Sequence, residues 1–233
     1  MIVSINQPAY LPWLGYFHRI AVSDIHVILD DVQFEKNSFT NRNKLRTVQG
    51  WMRLTVPVLT SGMFGQTIDE VEINNHENWR HKHLRSIQVN YSKAPFFEEQ
   101  IPFFEGMYSR QWDRLLALID FGIDYLLEQL GIKTRIVRSS SLDVRGKKSD
   151  LVLEICQILA GDIYLSGELG RNYLKEEDFH KSGIEIAYQD YNHPTYTQCY
   201  EPFESHLSVI DLLFNHGPKS LDILMSGQDP IQL

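Results

Sequence analysis

The first 31 residues restrict the fold more than any other part of the chain. A short, β-branched apolar segment (MIVSI) precedes a loop containing Pro8 and Pro12, a helix-like segment (GYFHRIAVS) and a second apolar strand (IHVILDD). This order is typical of a βαβ unit. Strands alternate with helix-like segments again between residues 134 and 190. We therefore predict an α/β fold with a mostly parallel, Rossmann-like sheet flanked by helices.

The middle of the chain has a helical pattern. Three successive segments between residues 77 and about 130 are helix-like, and the position of Gly131 predicts a helix stop. We expect this helical block to be a cap or an insertion over one edge of the sheet. No repeat or low-complexity linker divides the 233 residues, so the prediction is one domain over residues 1–233.

Composition limits the partners and the compartment. A net charge of -8 at pH 7 disfavours nonspecific binding to nucleic acid. The N-terminus has no basic region before an apolar run, and no apolar run reaches the length of about 18 residues that a membrane helix needs. We expect a cytoplasmic protein. His81 and His83 are two positions apart on a predicted helix, so we interpret them as a solvated face and predict no metal site.

The loop after the first strand is the first candidate binding segment. Ligands of open α/β sheets bind beyond the carboxyl ends of the strands, which is where this loop lies. Gln7, Tyr10, Trp13 and His18 offer an amide, two stacking faces and an imidazole. The same aromatic side chains are equally suited to packing the helix onto the sheet, and both interpretations stay open.

Polar residues after the second strand form the next candidate segment. Asp30 and Asp31 end that strand, where carboxylates suit a metal, a ribose hydroxyl or proton transfer. Gln33 follows, and then Asn41 and Arg42, whose guanidinium suits a phosphate or carboxylate. In the alternative interpretation the acids only cap a turn and Arg42 pairs with one of them.

Two later segments add weaker signals. Ser166 and Gly167 end a predicted strand before a short helix with Tyr173, and glycine lets a ligand approach the backbone closely. A further segment contains a histidine suited to general-base work near neutral pH, although a histidine before proline is more often structural. The candidate residues of this segment are His193, Tyr196 and Gln198.

Together these segments resemble the WbqC-like protein family. The matching runs include NQPAYLPWLGYFHRIA, SDIHVILDDVQFEKNSFTNRNKL, GDIYLSGELGRNYL and YQDYNHPTYTQ, and they span nearly the whole chain. The resemblance implies a role in O-antigen or other surface-polysaccharide biosynthesis, with transfer of an aminoacyl group such as glycyl in some members. One departure is Asn6, where the family often has histidine, so no catalytic role is assigned to that position.

A looser similarity concerns the opening βαβ unit. Its Gly-x-x-His helix looks like that of the nucleotidyltransferase superfamily, and Asp-Val-Gln-Phe is similar to a stretch of pantothenate synthetase. Those enzymes activate an acid as an adenylate and pass it to an amine. This similarity implies ATP with Mg as a cofactor.

Three functional hypotheses follow. The first is an enzyme that transfers an acyl or aminoacyl group to an amino sugar, itself nucleotide-linked, with His193 or Asp31 as proton acceptor and His18 as a further catalytic candidate. The second is a noncatalytic module that binds a nucleotide sugar or a partner enzyme. The third is a metal-dependent nucleotidyl- or glycosyltransferase that uses Asp30 or Asp31. The sequence leaves the acyl donor and the oligomeric state open.

Overall fold

The computed structural model describes residues 1–227, and its centre is a parallel sheet. The strands are, in chain order, β1 (Ile2–Asn6), β2 (Ile25–Ile28), β3 (Arg42–Thr47), β4 (Gly50–Thr55), β5 (Arg135–Arg138), β6 (Ile163–Ser166) and β7 (Glu185–Tyr188). Five of them form a parallel sheet of order β5-β2-β1-β6-β7. The predicted Rossmann-like α/β fold is therefore confirmed, and the strand ending at Ser166 lies beside β1 as the alternation of elements indicates.

Helices connect the strands and cover both faces of the sheet. They are α1 (Leu14–Ala21), α2 (Trp79–Tyr91), α3 (Phe97–Ser109), α4 (Leu115–Leu130), α5 (Ser149–Ile158), α6 (Glu176–Lys181), α7 (Val209–His216) and α8 (Ser220–Ser226). No helix within residues 1–227 is both long enough and apolar enough to cross a membrane.

The two faces of the sheet differ in polarity. The face against α5 and α6 is apolar and carries Val3, Ile5, Ile25 and Val27. The alternate positions Ser4 and His26 are also fully buried, and the Ser4 hydroxyl lies 2.7 Å from His26 Nδ1. Burial lowers the pKa of His26 to about 3, so its imidazole is neutral at pH 7. Buried polar side chains on β1 and β2 are thus paired with one another.

The helical block is an insertion between β2 and β5. Helices α2, α3 and α4 follow one another there, and α4 ends at Gly131 in the left-handed conformation, with a φ of 69°. His83 of α2 is buried, which corrects the prediction of a solvated histidine face, whereas His81 is exposed. His83 Nε2 lies 3.2 Å from the Thr55 carbonyl and Nδ1 lies 2.9 Å from the Tyr10 hydroxyl. His83 therefore donates to Thr55, accepts from Tyr10, and joins the block to the loop after β1.

A hairpin of β3 and β4 precedes the block, and it depends on a buried arginine. The segment RNKLRT is too polar to predict a strand, yet Arg46 within it is fully buried. Its guanidinium donates to four backbone carbonyls, those of Thr47, Gly50, Tyr200 and Pro202. The bonds to Tyr200 and Pro202 join the hairpin to the loop after β7, while the buried Nε has no partner within residues 1–227.

We predict that Arg46→Leu lowers the free energy of unfolding by about 3 kcal/mol or more, because several buried carbonyls lose a charged donor. The matched control is Arg53→Leu, an exposed arginine on the paired strand, for which a change within about 0.5 kcal/mol is expected. Urea denaturation of both variants measures the difference. Equal losses in the two variants would show that Arg46 does not join the hairpin to the loop.

Candidate functional site

A large cavity lies beyond the carboxyl ends of β1 and β6. From β1 the chain builds the sheet outward on one side through β2 and β5, and then on the other side through β6 and β7. The boundary between β1 and β6 is thus a topological switch point, where open α/β sheets bind their ligands. The cavity there, which we call the switch-point cavity, has a volume of about 1130 Å³, and its lining includes Asn6, Gln7, Gly167, Tyr173 and Gln189.

Aromatic rings form one wall of the switch-point cavity. Trp13 stacks on His206, with ring centroids 5.2 Å apart and planes 22° apart, and meets Tyr191 edge-on at 5.7 Å. All three residues line the cavity. His206 is exposed and has a φ of 57°, a left-handed conformation uncommon outside glycine. Such wall residues suit the stacking of a planar base or a sugar ring.

Arg19 contributes a cation to the cavity. It lies in the last turn of α1, and helical side chains tilt toward the N-terminus of their helix, which here lies at the carboxyl edge of the sheet. Arg19 Nη1 donates to Asn6 Oδ1 over 2.5 Å, and Nε donates to Gln189 Oε1 over 2.9 Å. Both acceptors are neutral amides.

Gln189 also determines which ring nitrogen of His18 accepts a hydrogen bond. Because its oxygen accepts from Arg19, its Nε2 faces the Gly15 carbonyl at 3.0 Å and His18 Nδ1 at 2.8 Å. His18 Nδ1 is therefore an acceptor, and the proton of the neutral ring is on Nε2. Gln189 in this way links the imidazole of His18 to the guanidinium of Arg19.

The remaining cavity lining combines acids with a second arginine. Three carboxylates line it, and we call them the lining carboxylates: Glu35, Glu168 and Asp190. Arg171 also lines it, with its guanidinium carbon 3.8 Å from the centroid of the Tyr188 ring. This lining offers both signs of charge to a polar ligand.

The structure brings five of the sequence-predicted residues together. They come from the loop after β1 and from the segment after β6, which meet at the switch-point cavity: Gln7, Trp13, Ser166, Gly167 and Tyr173. Gly167 is closely packed, because a Cβ at this position would lie 2.5 Å from Arg19 Nη2. The other predicted residues lie outside the cavity lining.

Asp30 and Asp31 bind the turn after β5. Asp30 is buried, and its carboxylate accepts hydrogen bonds from the Ser139 hydroxyl, the Ser140 hydroxyl and the Ser140 amide. Burial raises the pKa of Asp30, but these hydrogen bonds outweigh it and hold the pKa below its usual value. Asp31 Oδ1 also lies within hydrogen-bond distance of the Ser139 hydroxyl, whose single proton bonds to one of the two carboxylates at a time. Gln33 is exposed nearby and forms an isolated β-bridge with Thr67.

Tyr196 and Gln198 lie in a buried cluster around Asp211 of α7. The Tyr196 hydroxyl donates to Asp211 Oδ2 over 3.0 Å, and Gln198 Nε2 donates to the same oxygen over 2.8 Å. Asp211 is fully buried. Burial raises the pKa of Asp211 to about 6, although the hydrogen bond from Tyr196 opposes the shift.

His193 contacts the aromatic wall but does not line the switch-point cavity. Its ring is stacked 6.4 Å from Trp13 and lies 5.1 Å from His206, and its Nδ1 donates to the Pro194 carbonyl over 2.9 Å. Burial lowers the pKa of His193. A catalytic role for His193 stays a prediction, since it is one layer removed from the cavity surface.

Tyr10, Asn41 and Arg42 contact protein groups away from the cavity. Tyr10 is buried against Tyr108 and His83. Asn41 Nδ2 donates to the Val56 carbonyl over 2.9 Å. Arg42 donates to the Asn37 carbonyl and side chain, and its partner is therefore neither Asp30 nor Asp31. Their roles as ligand contacts stay predictions.

Sequence reasoning did not identify Arg19, Gln189, Tyr191 or His206 as site residues. Arg19 follows the first candidate loop by one helical turn and a half, and the N-terminal tilt of helical side chains is the signal that identifies it. Gln189 immediately follows the last strand of the sheet, at its carboxyl edge. His206 has no local signal, because only the tertiary fold brings residues 200–207 to Trp13.

Within residues 1–227, no group of three or more His, Cys, Asp or Glu side chains is arranged to hold a metal ion.

Fold and cavity together define a Rossmann-like α/β protein with a ligand-sized cavity at its switch point. The chain belongs to the WbqC-like protein family, which it matches over residues 7–223. It is 35% identical over 224 residues to an uncharacterized protein, Rv1507c, of Mycobacterium tuberculosis (strain H37Rv), which covers 95% of this chain and 96% of that protein. No solved structure shows significant similarity to the chain described here.

We predict that Asp211 makes the protein less stable as the pH rises from about 4 to about 6. The folded state raises the pKa of Asp211 to about 6, so it binds the proton more tightly than the unfolded chain does. The stabilisation by Asp211 is complete when the pH is below the pKa of this group in the unfolded chain. It is lost as the pH rises past the pKa of Asp211 in the folded protein. The loss reaches about 3 kcal/mol at most.

Denaturant unfolding of the wild type and of Asp211→Asn across this pH range isolates the effect, because other acids titrate in both proteins. The wild type should lose stability relative to the variant as the pH rises. A constant difference between the two proteins would contradict the raised pKa.

Arg42→Ala separates two roles for that residue. Because the guanidinium holds Asn37, we expect the melting temperature to fall while the affinity of the folded protein for anionic ligands stays unchanged. Thermal unfolding and calorimetric titration on the same preparation measure both. A loss of affinity of about 2 kcal/mol, as expected when a charged partner is removed, would instead support the sequence-based role in anion binding.

Proposed function

We propose that this protein binds a nucleotide-linked amino sugar in the switch-point cavity and transfers an acyl or aminoacyl group, such as glycyl, to its amine. Membership of the WbqC-like family suggests a role in polysaccharide biosynthesis. The observation that carries the proposal is the cavity itself, about 1130 Å³ in volume and located beyond the carboxyl ends of β1 and β6. Ligand sites of parallel α/β sheets occur at this position.

The chemistry of the lining supports a ligand of mixed character. A nucleotide-linked amino sugar has a planar base, sugar rings with hydroxyl groups, and phosphates. Trp13, Tyr173 and Tyr191 offer ring faces and edges for the base or a sugar. The lining carboxylates accept hydrogen bonds from hydroxyl or amine groups. Arg19 and Arg171 supply positive charge.

The transfer step requires one proton acceptor. The amine nitrogen attacks the acyl carbon, a C–N bond forms, the bond from that carbon to the oxygen or sulfur of the donor breaks, and the amine proton passes to a base. Among the histidines of residues 1–227, His206 lines the cavity, and an imidazole suits this role near neutral pH. We therefore place His206 ahead of His193, Asp31 and His18 as proton acceptor.

Activation of the acyl group by ATP with Mg is compatible with these residues. A triphosphate needs cationic partners, and the two arginines of the cavity provide them. In this route the carboxylate of the acid would bond to the α-phosphorus of ATP and release pyrophosphate, and the amine would then displace AMP from the acyl carbon and lose a proton to the base.

The direct test is a transfer assay with the purified protein. Nucleotide-linked amino sugars with a free amine are incubated with acyl thioesters, or with amino acids and ATP, each with Mg and with a chelator. We expect the mass of one amino sugar to increase by one acyl group, and His206→Gln to abolish this increase while the variant still binds the amino sugar. Binding without any transfer would instead support the noncatalytic module. The metal-dependent transferase would be supported if a nucleotidyl or glycosyl group were transferred and the chelator abolished this transfer.

A second prediction concerns Trp13 as a stacking surface. Trp13→Ala should weaken binding of the nucleotide-linked amino sugar about tenfold, the effect typical of losing one aromatic stacking partner. The matched control is Trp51→Ala on the β3–β4 hairpin, which does not line the cavity. Calorimetric titration compares the two. Equal affinity in both variants would remove the aromatic wall from the binding site.

A further inference from the structure

Among the described residues, Arg19 makes fewer hydrogen bonds than Arg46, and it has no ion pair like those of Arg138. Arg46 donates to four carbonyls, and Arg138 contacts the carboxylates of Asp30 and Asp120. Arg19 donates one hydrogen bond to Asn6 and one to Gln189. None of the ion pairs within residues 1–227 involves Arg19.

Arg19 is partly buried in the wall of the switch-point cavity. Burial lowers the pKa of Arg19, while only tyrosines raise it. A buried cation without an anionic partner is unfavourable, because desolvation is not repaid by a nearby negative charge. The protein therefore holds at its switch point a charge that an anionic ligand would stabilise.

One edge of the guanidinium remains available to a ligand. Nε and one hydrogen of Nη1 are engaged by Gln189 and Asn6, whereas Nη2 donates to no atom within residues 1–227. Arg19 also lines the switch-point cavity. One hydrogen of Nη1 and both hydrogens of Nη2 are therefore left to bind the two oxygens of one oxyanion. Arginine uses this forked geometry for phosphate and carboxylate groups.

Gly167 leaves room for the guanidinium beside the backbone of β6. A Cβ on Gly167 would lie 2.5 Å from Nη2 and 3.0 Å from both Nη1 and the central carbon of Arg19. The backbone of Gly167 is extended, with a φ of -76°, so alanine is permitted there by conformation alone. The close contact with Arg19 is thus the local constraint on a side chain at this position.

We propose that Arg19 is the oxyanion-binding residue of the switch-point cavity, held by Asn6 and Gln189 and given room by Gly167. Its ligand group is a phosphate or a carboxylate of the bound substrate. The inference rests on the proposed function only for the identity of the rest of the ligand. The same site binds an isolated oxyanion whether or not acyl transfer occurs.

Calorimetric titration with inorganic pyrophosphate, UDP and glycine tests this proposal on the full chain. We expect Arg19→Lys to weaken binding of the anion that the wild type binds by tenfold or more, because lysine has no planar fork. Gly167→Ala should weaken it comparably, by displacing the guanidinium. The control Arg53→Gln removes an exposed positive charge on the hairpin and should leave the affinity unchanged.

The probes distinguish the source of the oxyanion. Binding of pyrophosphate and UDP identifies a phosphate site, and binding of glycine alone identifies a carboxylate site. Wild-type affinity in folded Arg19→Lys and in folded Gly167→Ala, or failure of the wild type to bind any of the three, would overturn the proposal. Arg19-dependent pyrophosphate binding without binding of any nucleotide-linked amino sugar would retain the oxyanion site and reject the proposed substrate. Nucleotide-sugar binding that does not depend on Arg19 would retain the proposed substrate and reject the oxyanion site.

Discussion

The contact between Arg19 and the carboxyl edge of the sheet is the interaction on which the site depends. Asn6 ends β1, Gly167 follows β6 and Gln189 follows β7, and all three approach one guanidinium from α1. One charged group therefore connects the helix to three strand ends at the switch point. Since Gln189 also binds His18, a displaced arginine would disturb the imidazole as well.

Three other ionisable groups inside the fold are buried and hold parts of the scaffold together. Arg46 holds the hairpin through backbone carbonyls, Asp30 holds the turn after β5 through two serines, and Asp211 holds residues 196–198 through Tyr196 and Gln198. Each of these groups makes two or more hydrogen bonds within the chain, although Arg46 Nε and Asp211 Oδ1 have no partner in the part of the chain that the structure describes. Arg19 differs from them because it is only partly buried and lines the switch-point cavity, where a ligand can reach it.

The sheet could be predicted from the sequence because its strands are short apolar segments separated by helical patterns. MIVSI, IHVIL and DIYLS all lie in the parallel sheet, and the helical block falls where its periodicity indicates. Strand β3 and helix α8 could not be predicted, for different reasons. β3 is polar in sequence and buries Arg46 through long-range contacts with residues 200–202, and α8 follows α7 after the break at Gly217.

The candidate site was predictable where a loop directly follows a strand of the sheet. Gln7, Trp13 and Gly167 meet this condition and line the cavity. Tyr10 and Tyr196 have the residue types of a binding site, but their hydroxyls are engaged by His83 and Asp211 in the core. Such pairings join residues distant in the chain, and no local pattern encodes them.

A crystal structure of the protein with a bound nucleotide-linked amino sugar would test the central claim most directly. We expect the ligand between β1 and β6, with one oxyanion within hydrogen-bond distance of Arg19 Nη1 and Nη2, about 2.7–2.9 Å, and a ring against Trp13. A ligand bound elsewhere on the molecule, with Arg19 still bonded only to Asn6 and Gln189, would contradict it.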